Sequence, residues 1–441
     1  MNMSSVLFIN RVYPPSGGAT GQLLSELAPL LVDAGWNVTV LASRTGTKDG
    51  AADQMGTDSA GVRVERAGVA STRRSGLAWR LFGLLLLYPA LLWRASRLPR
   101  PDVIVVMTDP PLLVFLGAVL RWWTGARLVH WVQDLYPEVA EELGVLRKGS
   151  AVARVLHGLS NWSLRRCDKV LVIGECMRAR LKARGVLPGR LLVVPNWSPL
   201  PTSAPRTGAG QVFRETHGWR QRFVVMYSGN FGLAHEFETI LDAAGQLQAT
   251  HPSVLFVLVG EGPRRARLEA EVGRRNLTNV YFLPRQPKAR LAECLSAAHI
   301  HLASMRSALC GLVVPSKVYG ILAAGRPCLF LGPRDSEAAR LIETHQCGSV
   351  LEDATGVGLA KTLVTWAEEP DRRAAVASRQ HDLRLELSVE VAARAFQEVF
   401  AHVTGANIRP LTPSPDASAA AAPPDGRREL TSVPSELSPG P

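Results

Sequence analysis

LVVPSKVYGILAAGRP (residues 312–327) carries a buried-strand pattern that breaks at Pro315, passes through Ser316 and Lys317, and continues as a helical pattern closed by Gly325. Proline suits a helix start, and glycine suits the left-handed position just past a helix end. Arg326 and Pro327 then lead into the apolar run CLFLG. The local unit is strand, turn, helix, strand, and its spacing sets a hydroxyl, a cation and helix-start N–H groups where a phosphate can bind. On this segment alone a solvated turn is the simpler reading, so the rest of the chain has to decide.

On both sides of it, short apolar runs alternate with helical patterns, as in parallel sheets joined by crossover helices. A first strand series is expected at residues 6–9, 37–41, 103–107, 127–132, 169–173 and 191–194. A second is expected at 223–227, 255–259, 280–282, 300–303, 327–331 and 349–351. Between them lies SPLPTSAPRTGAG, whose Pro, Gly, Ser and Thr content marks a linker. The expected organisation is a first α/β domain over 1–198, a linker over 199–211 and a second α/β domain over 212–385. A helix follows over 386–403, and then a Pro-, Ala- and Ser-rich tail over 404–441 that reads as disordered. Two doubly wound, Rossmann-like domains would face one another across a cleft, with ligands outside the carboxyl ends of the strands.

Composition agrees. A chain of 441 residues, 46% hydrophobic, can bury two cores. The N-terminal run VLFI is too short for a secretory signal and reads as a strand. The six cysteines are widely spaced with no CxxC pair, which speaks against a zinc module or a disulfide framework and fits reduced cytoplasmic thiols.

The formal charge of +12 calls for an anionic partner or surface. Arg63, Arg66, Arg73, Arg74, Arg80, Arg94, Arg97 and Arg100 flank LFGLLLLYPALLW (residues 81–93), within a basic apolar helix expected near 77–97. The run is short of the roughly 18 to 20 apolar residues that span a bilayer. Two readings stand: a helix lying in an anionic membrane interface, kinked at Pro89, or a buried core helix beside a basic surface. A second apolar patch, PLLVFLGAVLRWW (residues 111–123), favours the membrane. No nucleic-acid-binding motif accompanies the basic residues.

Several expected strand ends carry candidate ligand contacts. VYPPSGGATG places Gly17 and Gly18 where backbone N–H groups can approach a diphosphate or simply tighten the turn. It is not GxGxxG, and no acidic residue closes the second strand, which disfavours a dinucleotide-dependent dehydrogenase. YSGNFGLAHEFETIL offers Gly229, Asn230 and His235, with His235 near a helix start that would lower its pKa. VGEGPRRARLE offers Glu261 and Gly262, and FLPRQP offers Arg285 and Gln286, as contacts for sugar, ribose or base.

Taken in order, YPPSGGATGQLLSELAPLLVDAGWNVTVLAS, HWVQDLYPE, YSGNFGLAH, LVGEGP, FLPRQP, PSKVYGILAAGRP and SEAARLIETHQCGSV resemble bacterial retaining glycosyltransferases of family 4, which have the GT-B fold. The resemblance covers roughly residues 6–400 and is nearest to transferases of O-antigen, capsule or exopolysaccharide assembly. It implies transfer of a sugar from a nucleoside diphosphate donor to a lipid-linked or saccharide acceptor, in the cytoplasm on the inner face of the plasma membrane. By resemblance, Gly17 and Gly18 approach the diphosphate from the first domain, while Asn230, His235, Ser316 and Lys317 line the cleft from the second. Many family members have Arg and Lys where this chain has Asn230 and His235, and a pair of glutamates where it has Leu312 and Gly320. Glu261 or Glu337 is the candidate substitute for those glutamates.

Retaining transfer has to stabilise a diphosphate leaving group and an oxocarbenium-like sugar together, which makes Lys317 the main electrostatic candidate. Asp134 in DLYPE is the candidate for contacting acceptor or donor sugar, or else a helix cap, and Glu138 would share its face if both were helical. With no DxD pair, neither a metal nor a cofactor is expected. A GT-B sugar-nucleotide epimerase and a non-catalytic nucleotide-sugar-binding scaffold are the alternatives.

Overall fold

The structure is a computed structural model and describes residues 3–16, 18–44, 55–68, 77–200, 208–232 and 235–407. Gly17, Arg73, Arg74 and the tail from residue 408 lie outside the described residues, as does the side chain of Arg80. The first sheet contains β1 (Ser5–Ile9), β2 (Asn37–Ser43), β3 (Gly56–Thr57), β4 (Arg63–Ala67), β5 (Val103–Val106), β6 (Arg127–Val132), β7 (Lys169–Val172) and β8 (Leu191–Val193). Its order is β3-β4-β2-β1-β5-β6-β7-β8, parallel except for β3 against β4. The second contains β9 (Phe223–Ser228), β10 (Val254–Val259), β11 (Val280–Leu283), β12 (Ile300–Ser304), β13 (Cys328–Leu331) and β14 (Gly348–Leu351), in the parallel order β11-β10-β9-β12-β13-β14.

Strands such as VIVV in β5 and CLFL in β13 are buried at every position. That is the pattern of a parallel strand covered by helices on both faces. Chain order reverses between β1 and β5 in the first sheet and between β9 and β12 in the second. At such reversals the crossover helices diverge to opposite faces and leave a crevice, so two candidate sites are set by topology alone.

Three sequence expectations change. The run before Pro315 is not a strand: residues 312–315 are irregular, with one isolated bridge between Cys310 and Val313. The place beside β9 is already taken by β12, and the free carbonyl of Leu312 accepts instead from Leu135 N–H of the first domain, at 2.9 Å.

Part of the arginine group is tied into the fold and is not free at the surface. Arg63 and Arg66 belong to β4, a strand not anticipated, and Glu65 between them is 3% exposed and pairs with both Arg63 and Arg94. Arg66 is buried and donates to the carbonyls of Tyr13, Ser43 and Pro14, bracing the first strand-end turn. The helix Leu77–Ser96 runs through Pro89 as one element. Leu87, Leu91 and Ala95, one turn apart, face the core, as the core-helix reading expects, while Leu86 and Trp93 face outward.

Asp134 and Glu138 do not share a helix face either, since the helix Glu138–Glu142 begins after the cis peptide at Tyr136–Pro137.

The domains are in contact. Beyond the linker the helix Val389–Thr404 returns to the first domain, where Phe396 meets Trp131 and Phe400 meets Phe8 and Trp36.

Candidate active site

The crevice between β9 and β12 is built around Lys317, the first residue of the helix Lys317–Ala323. Its ammonium donates to Tyr227 Oη, lies 3.7 Å from the centre of the Tyr227 ring and stands 3.5 Å from His235 Nε2. A Cβ on Gly229 would come within 3.3 Å of Lys317 Nζ, so the glycine backbone forms one wall of the ammonium site. The lysine is half-buried as a whole, but its charged end is packed among Tyr227, Gly229 and His235. Burial therefore holds its pKa well below the usual lysine value, and no carboxylate pairs with it among the described residues.

His235 completes this cation site. Its Nδ1 lies 2.7 Å from the carbonyl of Ser304, so Nδ1 carries the proton and Nε2 presents a lone pair toward Lys317. Burial first, then the charge of Lys317, lowers its pKa to about 3. The helix-start origin expected for this shift is not the one found, because the next helix begins only at Glu238. The arrangement is a desolvated cation held beside a neutral imidazole, and an incoming phosphate would supply the missing counter-charge.

The loops after β9 and β10 touch backbone to backbone. Phe231 N–H donates to Glu261 O at 2.9 Å, and Gly262, with φ of 155°, leaves no room for a side chain: a Cβ would lie 2.6 Å from Phe231 N. Asn230 is exposed, with its amide over Gly262 and Gly232. Glu261 is exposed and pairs with Arg265 at 2.9 Å. Gln286 bonds Pro284 O, and Arg285 is exposed at the end of β11.

Beside these loops a cleft of about 490 Å³ opens between the domains, lined by Leu143 of the first and Glu236, Pro263, Arg264, Arg267 and Arg306 of the second. The sequence reading passed over these three arginines. Arg264 is anchored by a 2.7 Å bond from its guanidinium to His235 O, while Arg267 and Arg306 are exposed. Their signal was position: Arg306 lies two residues past β12 and Arg264 five past β10, while Arg267 is in the first turn of the helix that follows β10.

In the first domain the crevice between β1 and β5 holds Arg11 and Asp109, paired at 2.6 Å. Asp134, just past β6, is half-buried, and its pKa is raised to about 6 by burial and then by the charge of Asp109. Burial likewise lifts the Tyr136 hydroxyl to about 12, with Asp134 adding to the effect. Asp134 does not cap the helix Glu138–Glu142, whose cap position is Pro137. Glu138 is turned away into a pair with Arg184 at 2.9 Å. Gly18 lets the helix Ala19–Asp33 close on the preceding turn, since a Cβ there would lie 2.9 Å from Val12 Cγ2.

Two candidates sit differently from the rest. Ser316 is exposed and makes no capping bond. Glu337 is 2% exposed, and its oxygens are committed: Oε2 accepts from Glu175 N–H at 2.8 Å and Oε1 from Arg340 at 2.6 Å. It caps a helix of the opposite domain. Of the positions where relatives carry glutamate, Leu312 is buried and Gly320 faces Pro199 and Leu295.

Two facing doubly wound domains meet at a cleft lined by Arg264, Arg267 and Arg306, with Lys317 and His235 at the end of β9 nearby. The glycosyl transferase 4-like domain family matches residues 18–197, and the glycosyl transferases group 1 family matches residues 211–380. WbjE of Pseudomonas aeruginosa, named as a probable glycosyltransferase, is 28% identical over 279 residues, 63% of this chain and 67% of its own length. WcaI of Escherichia coli K12, whose name assigns it to colanic acid biosynthesis, is 28% identical over 255 residues, 57% of this chain and 62% of its own. Among solved structures, HepE of Anabaena in complex with UDP-glucose superimposes with a TM-score of 0.67 at 16% identity, covering 90% of this chain and 99% of that one. That likeness establishes the fold. The chain belongs to the family 4 glycosyltransferases of the GT-B fold.

Proposed function

We propose that the protein transfers a sugar, with retention of configuration, from a nucleoside diphosphate-sugar to a lipid-linked or saccharide acceptor in cell-surface polysaccharide synthesis. The observation that carries this reading is the Lys317 ammonium, desolvated and without a carboxylate partner among the described residues, at the carboxyl end of β9. A diphosphate placed there gains an ion pair that costs little further desolvation, and the gain grows as the leaving group takes on charge. Arg264, Arg267 and Arg306 supply cations nearby where many relatives rely on the positions of Asn230 and His235. Asp134, its pKa raised to about 6 at the carboxyl end of β6, is the first-domain group that would orient an acceptor hydroxyl. Relatives named for glycosyl transfer and for colanic acid assembly, and a structural neighbour holding UDP-glucose, support the donor and acceptor classes.

Work at the inner face of an anionic membrane belongs to the same reading. Trp122 is 87% exposed, Trp123 and Phe115 are exposed on the same helix Leu113–Thr124, and Trp93 is exposed on the helix Leu77–Ser96 that packs against it. Arg97 lies over the Trp93 ring, as aromatic and basic groups do at the headgroup level.

A thermal-shift screen of nucleoside diphosphate-sugars identifies the donor, because a ligand of the native state raises Tm by mass action. With that donor, acceptor-dependent release of the nucleoside diphosphate and an unchanged anomeric configuration in the product are expected. Isomerised donor without acceptor, or binding without turnover, would refute the proposal.

A further inference from the structure

Cys167, Cys294, Cys328 and Cys347 are buried, and burial pushes each thiol pKa up. Cys176 and Cys310 are half-buried and come from different domains. Cys176 is the second residue of the helix Glu175–Ala183 in the first domain, and Cys310 closes the 3₁₀ turn Ser307–Leu309 in the second. Each thiol is the largest influence on the pKa of the other across the interface.

The backbone around the pair holds that register. Arg180 Nε donates to Cys310 O at 2.9 Å, and Glu175 N–H donates to Glu337 Oε2 at 2.8 Å, so both flanks of Cys176 are tied to the second domain. Next to Cys310, a Cβ on Gly311 would lie 2.9 Å from Cys176 O. The two chains are as close as backbone allows. Cys176 Sγ also accepts from the backbone N–H of Met177 and of Glu337. It thus sits at the N-termini of two helices, one from each domain, where a thiolate is favoured.

We propose that Cys176 and Cys310 form a reversible disulfide that ties the two walls of the cleft together. The Cys310 thiol first, with the two backbone donors, pulls the Cys176 pKa down while Cys310 itself is pushed up, so Cys176 is the member of the pair that supplies the thiolate. That thiolate attacks one sulfur of a small disulfide of the glutathione class, forming a mixed disulfide and releasing one small thiolate. Cys310 gives its proton to solvent and attacks Cys176 Sγ, expelling the second small thiolate. Two protein thiols are oxidised and one small disulfide is reduced to two thiols. Because the bond joins opposite domains, it holds the cleft in the arrangement seen here and hinders exchange of whatever ligand lies inside.

The inference rests on the geometry of the domain interface and not on the transferase reading, and its test is read by mass. The full chain is incubated with glutathione disulfide, remaining thiols are alkylated, and peptides are mapped without reduction. The expected result is a Cys176–Cys310 crosslinked peptide that dithiothreitol reverses, with the four buried cysteines alkylated. Cys310→Ser is expected to retain glutathione on Cys176 without a crosslink, and Cys176→Ser to show neither. Serine variants whose Tm matches the parent exclude misfolding as the cause. Alkylation of all six cysteines in the treated parent, or glutathione stable on Cys176 with Cys310 still free, overturns the proposal.

Discussion

The Lys317 ammonium stands 3.5 Å from His235 Nε2, cation facing imidazole, and no carboxylate neutralises it among the described residues. Lysine burial normally ends in a salt bridge or a lost proton. Here no carboxylate answers the amine among the described residues and burial pulls its pKa well down, an arrangement that costs stability and that an anion bound beside it would relieve.

Replacing it should therefore separate stability from function. Between the lowered folded pKa and the ordinary value of 10.5, the unfolded state binds more protons, so stability rises with pH across that window and is reduced at neutral pH. Lys317→Met removes the penalty and should raise Tm at pH 7. The same change should lower kcat/KM by about 10²-fold and abolish thermal stabilisation by the donor. Parent-like donor affinity in the variant would show that the phosphate lies elsewhere.

Asp134 makes a pH prediction with the opposite sign. Its folded pKa of about 6 lies above the ordinary 3.8, so the folded state holds more protons in that window. Stability falls as pH rises through it, and the cost is fully present above it. Asp134→Asn should raise Tm at pH 7.5 and leave it nearly unchanged at pH 3.5. If the carboxylate orients the acceptor, the acid limb of kcat/KM near pH 6 should vanish in this variant. Asp109→Asn removes the second cause of the shift and should move that limb to lower pH.

Glu337 is predicted to act through the domain interface. Glu337→Ala leaves Glu175 N–H and Arg340 without their acceptor and opens a void beside Gly174, costing about 2 to 3 kcal/mol. Glu337→Gln keeps the shape and an acceptor for Glu175 N–H, so differential scanning calorimetry should place its Tm between those of the parent and the alanine variant. A donor KM changed more by glutamine than by alanine would point instead to direct contact with ligand.

Much of this architecture was legible. Twelve of the strands fell within a residue or two of their apolar runs, because a strand buried on both faces is written as an uninterrupted apolar stretch. Strand β4 was missed because RVERA looks like surface: Glu65 is neutralised by Arg63 and Arg94, and Arg66 donates to three carbonyls, none of which a linear pattern reveals. Residues 312–315 failed for the converse reason, an apolar run whose carbonyl is satisfied across the domain interface. At the candidate site, His235 was singled out from the turn after β9 and Lys317 from its place at a helix start, and the structure sets the two side by side. Glu337 was placed in the ligand cleft because a sequence does not show that Gly174, 163 residues earlier, leaves its carboxylate a socket in the opposite domain.

The basic helix yields the last prediction, and the structure changes which residues test it. Arg94 pairs with buried Glu65, so reversing its charge would damage the fold and say little about lipid. Trp93, Trp122 and Trp123 carry no such structural duty, being 58%, 87% and 50% exposed. Burying one such side chain in the interface contributes about 1.5 to 3 kcal/mol, or roughly tenfold or more in partitioning. Trp122→Ala with Trp123→Ala should therefore release the protein from vesicles containing anionic phospholipid while leaving Tm unchanged. Arg97→Ala should weaken binding mainly at low salt, since surface attraction to the lipid is screened within about 10 Å at 0.1 M ionic strength. Vesicle sedimentation measures both, and partitioning unchanged in the double tryptophan variant would remove the membrane from the proposed function while leaving the Lys317 site intact.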